Sequence, residues 1–158
     1  MFEIGDKIVY PVHGAGIIEG IEEREILGEL RRYYIMKMPL DDMKVMIPFD
    51  GMDQVGIREV ITEDEVEMVF AVLSAKISIM SENWNKRYRA NIDRIKTGDI
   101  FEVAEVVRDL TIKDREKTLS TGERKIMQNA KQVLLSELVL ATEKHRQELD
   151  DAIEQCIG

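Results

Sequence analysis

The sequence predicts an α+β fold, with a small β-barrel over residues 1–60 and a compact helical bundle over 61–158. Three observations carry that expectation. Short alternating segments separated by Gly, Pro and Asp signals fill the first part of the chain. Apolar residues at helical spacing, opened by capping signals, fill the remainder. The composition shifts from one pattern to the other near Val60 to Thr62, which sets the boundary.

In the β part, Asp6 to Tyr10 alternates and Pro11 ends it. His13-Gly14-Ala15-Gly16 is a small-residue turn leading into Ile17 to Glu22. Leu27-Gly28-Glu29 signals a turn before Arg31 to Met38, Leu40-Asp41-Asp42 precedes Lys44 to Pro48, and Gly56 to Val60 closes the set. Strands this short cannot build a two-layer sandwich, and they fit a strongly bent SH3- or Tudor-like barrel. A barrel of this size is a docking surface, because its core is too small for a ligand pocket. The candidate edges are 31–38 and 43–47, which either receive a partner strand or only close the barrel. In the second, Lys44 and Met46 share one face and Val45 and Ile47 the other, and the alternation does not say which face is inward.

In the helical part, Thr62 with Glu65 forms a capping box before Val66 to Leu73. Ser81 is placed to cap a helix running to Lys96, and Thr97-Gly98-Asp99 ends it. Phe101, Val103, Val106, Val107 and Leu110 recur at helical spacing, with Arg108 and Asp109 expected to face away. Ser120 with Glu123 is a second capping box, opening a long helix with Ile126, Met127, Ala130, Val133, Leu134, Leu138 and Ala141 inward. Gln147 to Ile157 reads as a short helix or a fraying tail.

The most informative window is Trp84 to Lys96. It begins with the single tryptophan and holds Lys86, Arg87, Arg89, Arg94 and Lys96 against one acid, Asp93, a local charge of +4. The chain totals −9, so everything outside the window sums to −13. A cationic island on an acidic protein points to a polyanion, with nucleic acid first. As a helix it aligns Trp84, Tyr88, Ile92 and Ile95 on one stripe, flanked by Arg89 and Lys96 on one side and Arg87 and Arg94 on the other. Trp84 is either the end of a core stripe or an apolar wedge projecting between cations, of the kind that grips an opened base step.

Several classes are excluded. There is no apolar run long enough to span a membrane and no secretory signal pattern, so a cytoplasmic protein without membrane contact is expected. One cysteine, Cys156, leaves no intrachain disulfide and no thiolate cluster. His13 and His145 lie in different halves of the chain, so no metal site is expected. Gly14-Ala15-Gly16 lacks the Lys-Ser/Thr of a phosphate loop, and Ser120 and Ser136 lack a triad context. Glu22-Glu23 and Asp41-Asp42 lie in turns with no catalytic partner opposite them. A non-enzymatic protein without cofactors is expected.

Gly5 to Gly16, then Trp84 with Lys86 to Asn91, then Gly98-Asp99 and Val103 to Leu110, and Ser120 with Gly122 to Arg124 resemble the CarD/CdnL family of bacterial transcription regulators. The N-terminal part is similar to the RNA-polymerase-interacting domain of the transcription-repair coupling factor. The likeness runs over nearly the whole chain in the family's order. It implies that the barrel docks on the β-subunit lobe of RNA polymerase and that the helical part reaches the upstream edge of the promoter bubble. It implies further that the residue matching the family's tryptophan, Trp84, wedges into the minor groove while Lys86, Arg87 and Arg89 hold the backbone and the open complex is stabilised. With Asn91, Arg94 and Lys96 these form the candidate DNA contact. Arg24 matches a family arginine at the polymerase contact, and Lys44, Met46, Ile47 and Pro48 on the candidate edge complete that set. Met46 stands where some members carry arginine, which suggests apolar packing or strand pairing there.

The expected device is a tether plus a wedge. A +4 patch alone binds DNA weakly and with little sequence preference, on the order of 10⁻⁴–10⁻⁶ M. Docking on polymerase raises its effective concentration. The acidic remainder argues for a monomer. The alternative is a protein–protein adaptor whose basic helix meets an acidic polypeptide and has no direct DNA role.

Overall fold

Alternation in the first sixty residues becomes five strands, Lys7–Tyr10 (β1), Gly14–Ile26 (β2), Glu29–Lys37 (β3), Lys44–Pro48 (β4) and Arg58–Glu59 (β5). The structure is a computed structural model that describes residues 2–51 and 55–158. All neighbours are antiparallel, in the order β4-β3-β2-β1-β5. A flat meander would lay β5 beside β4. Here β5 returns to pair with β1 through Ile8↔Glu59 and Val9↔Arg58, so the sheet curls as a small barrel does. No pairing joins β4 to β5 among the described residues. An irregularity between Ile18 and Gly20 bends β2 and sharpens the curl.

The inward face carries Ile8, Ile18, Tyr34, Met36 and Ile47, with Phe49 stacked on Tyr34 at 4.3 Å. Beyond that core β2 and β3 continue as an exposed two-stranded ribbon, turned by Leu27 and Gly28 at φ +53° and +81°. Two successive left-handed residues are what a two-residue hairpin turn requires. Of the two expected edges only β4 is one. The stretch 31–38 is interior, because Tyr33 to Lys37 pair with β4 while the same strand pairs with β2.

The helices are Glu63–Ser74 (α1), Trp84–Lys96 (α2), Ile100–Glu116 (α3), Thr121–Thr142 (α4) and Arg146–Cys156 (α5). The Thr62–Glu65 capping box is present in both directions. At α2 the cap is Asn83, whose side chain accepts from Lys86 N, and Ser81 lies outside the helix. α5 is no fraying tail: Leu149, Ile153 and Ile157 are buried, and Arg115 donates to the carbonyl of Ile157 at 2.8 Å.

α3 packs against α1, α2 and α4, so it has no outward face in its first three turns. That corrects the expectation for Arg108 and Asp109, which are 5% and 0% exposed. Both are satisfied. Arg108 donates to Val72 O, Ser78 Oγ and Asp109 Oδ1, and Asp109 also accepts from Ser78 N and Arg94.

The sheet seats on α4. Val9, Ala15 and Leu140 make a small apolar contact with Ile17 and Val60 against it. Ala15 N donates to Ser136 Oγ at 2.8 Å. The approach is close enough at Gly14 that a Cβ there would meet Ser136 Oγ at 2.6 Å.

Candidate nucleic-acid interface

Helical periodicity sorts the side chains of α2 into three strips, and the surroundings give each a different fate. The first holds Trp84, Tyr88, Ile92 and Ile95. Ile95 is buried, Tyr88 and Ile92 are half-buried, and Trp84, in the first turn where packing runs out, is 41% exposed. Its ring stacks on Tyr88 at 4.8 Å with an interplanar angle of 23°. Its Nε1 donates to Ser120 Oγ at 3.2 Å. The floor is Gly122, where a Cβ would come within 3.3 Å of Trp84 Cζ2 and 3.4 Å of Tyr88 Cε2. One edge of the indole is therefore held, and another part stays in solvent.

The second strip, Arg87, Asn91 and Arg94, turns inward. Arg87 is 8% exposed and grips Glu123, 2% exposed, through two parallel bonds of 2.9 Å from Nε and Nη2. Its Nη1 donates to Ser81 O. Hydrogen bonds from Arg87 hold the Glu123 carboxyl below its ordinary value of 4.5, against the opposing effect of burial. The Arg87 and Lys113 charges and the nearby Trp84 indole add smaller contributions in the same direction. The same hydrogen bonds to Glu123 raise Arg87. Glu123 thus commits its carboxylate to Arg87, while Ser120 still caps α4 by accepting from Glu123 N. Arg94 pairs with Glu105 and Asp109, and Asn91 is 2% exposed.

The third strip is the open one. Lys86, Arg89 and Lys96 are exposed and make no ion pair among the described residues. Only Asp93 shares that face as an acid. Of the five cations counted from sequence, three are available to a partner. One more joins them from elsewhere: exposed Lys125 of α4 lines a groove of about 260 Å³ together with Lys96, Ile92 and Ile95. Nothing in the local pattern around Lys125 signals this, because only the packing of α4 on α2 creates the neighbourhood. Ser120 is legible from sequence as a cap, but its second bond, to the indole, is not.

At the sheet, Arg24, Lys44 and Met46 come together around a groove of about 440 Å³ with Ile21 and Ile35. Arg24 is ion-paired to Glu22 at 3.4 Å and Lys44 to Glu19 at 3.1 Å, all on exposed side chains. Ile21, not singled out by the sequence pattern, is 53% exposed beside them. Pro48 is exposed at the strand end. Ile47 is 1% exposed and belongs to the Tyr34 core, so it is not part of the surface set.

A five-stranded curled sheet with a charged outer groove, joined to a bundle whose α2 exposes an indole on one strip and free cations on another, matches two known domain families in sequence. Residues 2–61 match the CarD-like/TRCF RID domain, and residues 68–154 match the CarD C-terminal domain. The chain belongs to the CarD family. It is 46% identical over 138 residues, 87% of this chain and 90% of the relative, to the Bacillus subtilis (strain 168) protein named "Putative transcription factor YdeB". Family membership places the chain among transcription regulators that interact with RNA polymerase. No helix of the described residues is long and apolar enough to cross a membrane.

Proposed function

We propose that this chain docks on the β subunit of RNA polymerase through the groove of Arg24, Lys44 and Met46 and stabilises the open promoter complex through α2. In this reading residues 1–60 are the docking unit and 61–158 the DNA-contacting unit. The observation that carries it is Trp84. It stands at the exposed end of α2, anchored by Ser120 and Tyr88, on the same helix that exposes Lys86 and Arg89 along its outward strip. A half-exposed aromatic held in one orientation loses little freedom on insertion, and free cations elsewhere on the same helix suit backbone phosphates near an opened step.

The roles within the candidate set divide accordingly. Lys86, Arg89 and Lys96, with Lys125, contact backbone phosphates. Arg87, Asn91 and Arg94 face inward and position α2. The indole N–H is already taken by Ser120, so the ring offers a face and not a base-edge donor. Little sequence preference follows. Insertion contributes ~1–3 kcal/mol to the open state, equivalent to one to two decades of lifetime.

The test is Trp84→Ala, assayed for polymerase affinity and for open-complex lifetime on a promoter at matched occupancy. Affinity is expected to hold while lifetime falls by about tenfold or more. An unchanged lifetime would refute the wedge and leave the adaptor reading in its place.

A further inference from the structure

A polymerase contact on the sheet and a DNA contact on α2 act together only if something fixes the distance and angle between them. The apolar seat of Val9, Ala15 and Leu140 is small, and the two hydrogen bonds that cross it, Ala15 N to Ser136 Oγ and Lys7 Nζ to the Leu140 carbonyl, hold the sheet to α4 without reaching α2. Beside it lies a directional element. Glu137, in the C-terminal third of α4, is completely buried. It accepts from Arg58 of β5 through a two-pronged contact, Nη1 to Oε2 at 2.6 Å and Nη2 to Oε1 at 2.7 Å. It also accepts from Ile61 N at 3.0 Å, in the segment entering α1. The remaining prong of the same guanidinium, Nε, donates at 2.8 Å to the carbonyl of Gly98, two residues beyond the end of α2. Gly98 itself lies against Pro11, in the turn after β1: a Cβ there would meet Pro11 Cγ at 3.0 Å.

We propose that the Arg58–Glu137 fork is a positioning device that fixes α2 and its tryptophan relative to the polymerase-docking face of the sheet. Neither residue touches the proposed DNA or polymerase surfaces. A guanidinium is planar, and its prongs have set directions. Two prongs on α4 and one on the turn after α2 therefore define an orientation that apolar contact alone does not. A buried ion pair is also a poor choice for stability alone, since apolar replacements of similar volume often serve as well or better. Its directional geometry is what an apolar replacement would not supply. This inference rests on the open-complex reading above, which it deepens.

The experiment uses the full chain with polymerase holoenzyme and a promoter. The variants are Glu137→Gln, Arg58→Gln and Arg58→Lys, the last keeping a charge but not the fork. In parallel, spin labels at Glu29→Cys on the ribbon and Asp93→Cys on α2, in a Cys156→Ser background, report the sheet-to-helix distance. The expected result is a broadened distance distribution and an open-complex lifetime about three- to tenfold shorter, as the effective concentration of Trp84 at the edge of the promoter bubble drops. Affinities for polymerase alone and for duplex DNA alone should each stay within about twofold, since neither binding face is altered. Arg58→Lys should fall between wild type and Arg58→Gln. An unchanged lifetime in a folded variant overturns the proposal, whether or not the distances broaden. So does a shortened lifetime with distances unchanged. If Arg58→Gln does not fold, because it leaves the buried Glu137 carboxylate without a counter-charge, Glu137→Gln and Arg58→Lys decide, since the first leaves only a partly exposed guanidinium and the second keeps the charge. Trp84→Ala run alongside separates the failures. No effect of that change sinks the open-complex reading, whereas an effect of Trp84→Ala with none from the fork variants sinks the fork alone.

Discussion

The two charged strips of α2 differ in what they face, not in what they are made of. Arg87 and Arg94 on one side and Lys86, Arg89 and Lys96 on the other come from the same thirteen-residue helix. The first two meet the buried or half-buried carboxylates Glu123, Glu105 and Asp109, while the other three meet solvent. A cation that has found a buried carboxylate is part of the scaffold. One that has not is available to a polyanion. The difference teaches that a count of basic residues overstates a binding surface wherever neighbouring elements supply acids to one flank.

The sharpest way to break this comparison is to strip the inward flank of its partner. Glu123→Ala leaves the Arg87 guanidinium buried without a counter-charge and is expected to cost ~3–5 kcal/mol in denaturant unfolding. Replacing both, Arg87→Met with Glu123→Leu, should recover most of that, since paired charges in the interior are replaceable by apolar groups of similar volume. A single-variant destabilisation below about 1 kcal/mol would mean that water reaches the pair and that the two strips are alike.

The outward flank is tested by salt. Lys86→Gln with Arg89→Gln should weaken duplex binding and flatten the log K against log salt slope by about 0.9 for each phosphate that is no longer neutralised. Arg94→Gln should leave that slope where it was. A slope change of equal size from Arg94→Gln would erase the distinction between the strips.

Acid should sharpen the comparison further. Glu123 titrates below its ordinary value because Arg87 hydrogen-bonds its charged form. Its contribution is therefore complete above the unfolded carboxylate range and is lost as pH falls through the depressed folded value. The stability gap between wild type and Glu123→Gln should accordingly narrow on acidification from about pH 6 to about pH 3, as measured by urea unfolding. A constant gap across that range would show that the carboxylate is not tied to Arg87 in solution.

The smallest expected effect is at Gly122. A methyl group there meets the Trp84 and Tyr88 rings at 3.3 and 3.4 Å, so Gly122→Ala should tilt the indole. Replacing glycine inside a helix is otherwise favourable by up to ~1 kcal/mol, so net stability should change little. Tryptophan emission should shift while the unfolding midpoint stays nearly fixed; identical emission would mean that the floor does not position the ring.

Much of this molecule was legible in order along the chain. Alternation and turn residues gave the strands, Thr62 with Glu65 gave the start of α1, and Trp84 with its cations marked the helix of interest. Local pattern also gave the stripe through Tyr88 and Ile95. It failed where a side chain's fate depends on a remote partner. Arg108 and Asp109 looked outward because their own helix has an apolar stripe elsewhere, yet α3 is wrapped by three neighbours. The cap of α2 moved from Ser81 to Asn83, a local competition between two acceptable caps.

From sequence alone came the α+β order, the membership-bearing motifs and the concentration of cations around a single indole, because period, turn chemistry and net charge are properties of neighbouring residues. Tertiary structure alone decided that Arg87 belongs to Glu123, that Ser120 holds Trp84, that Lys125 joins Lys96, and that Glu137 binds the sheet to the bundle. These partners lie roughly 30 to 80 positions apart in the chain. Burial, which turns a charge from a free ligand into a fixed strut, exists only once the helices have packed.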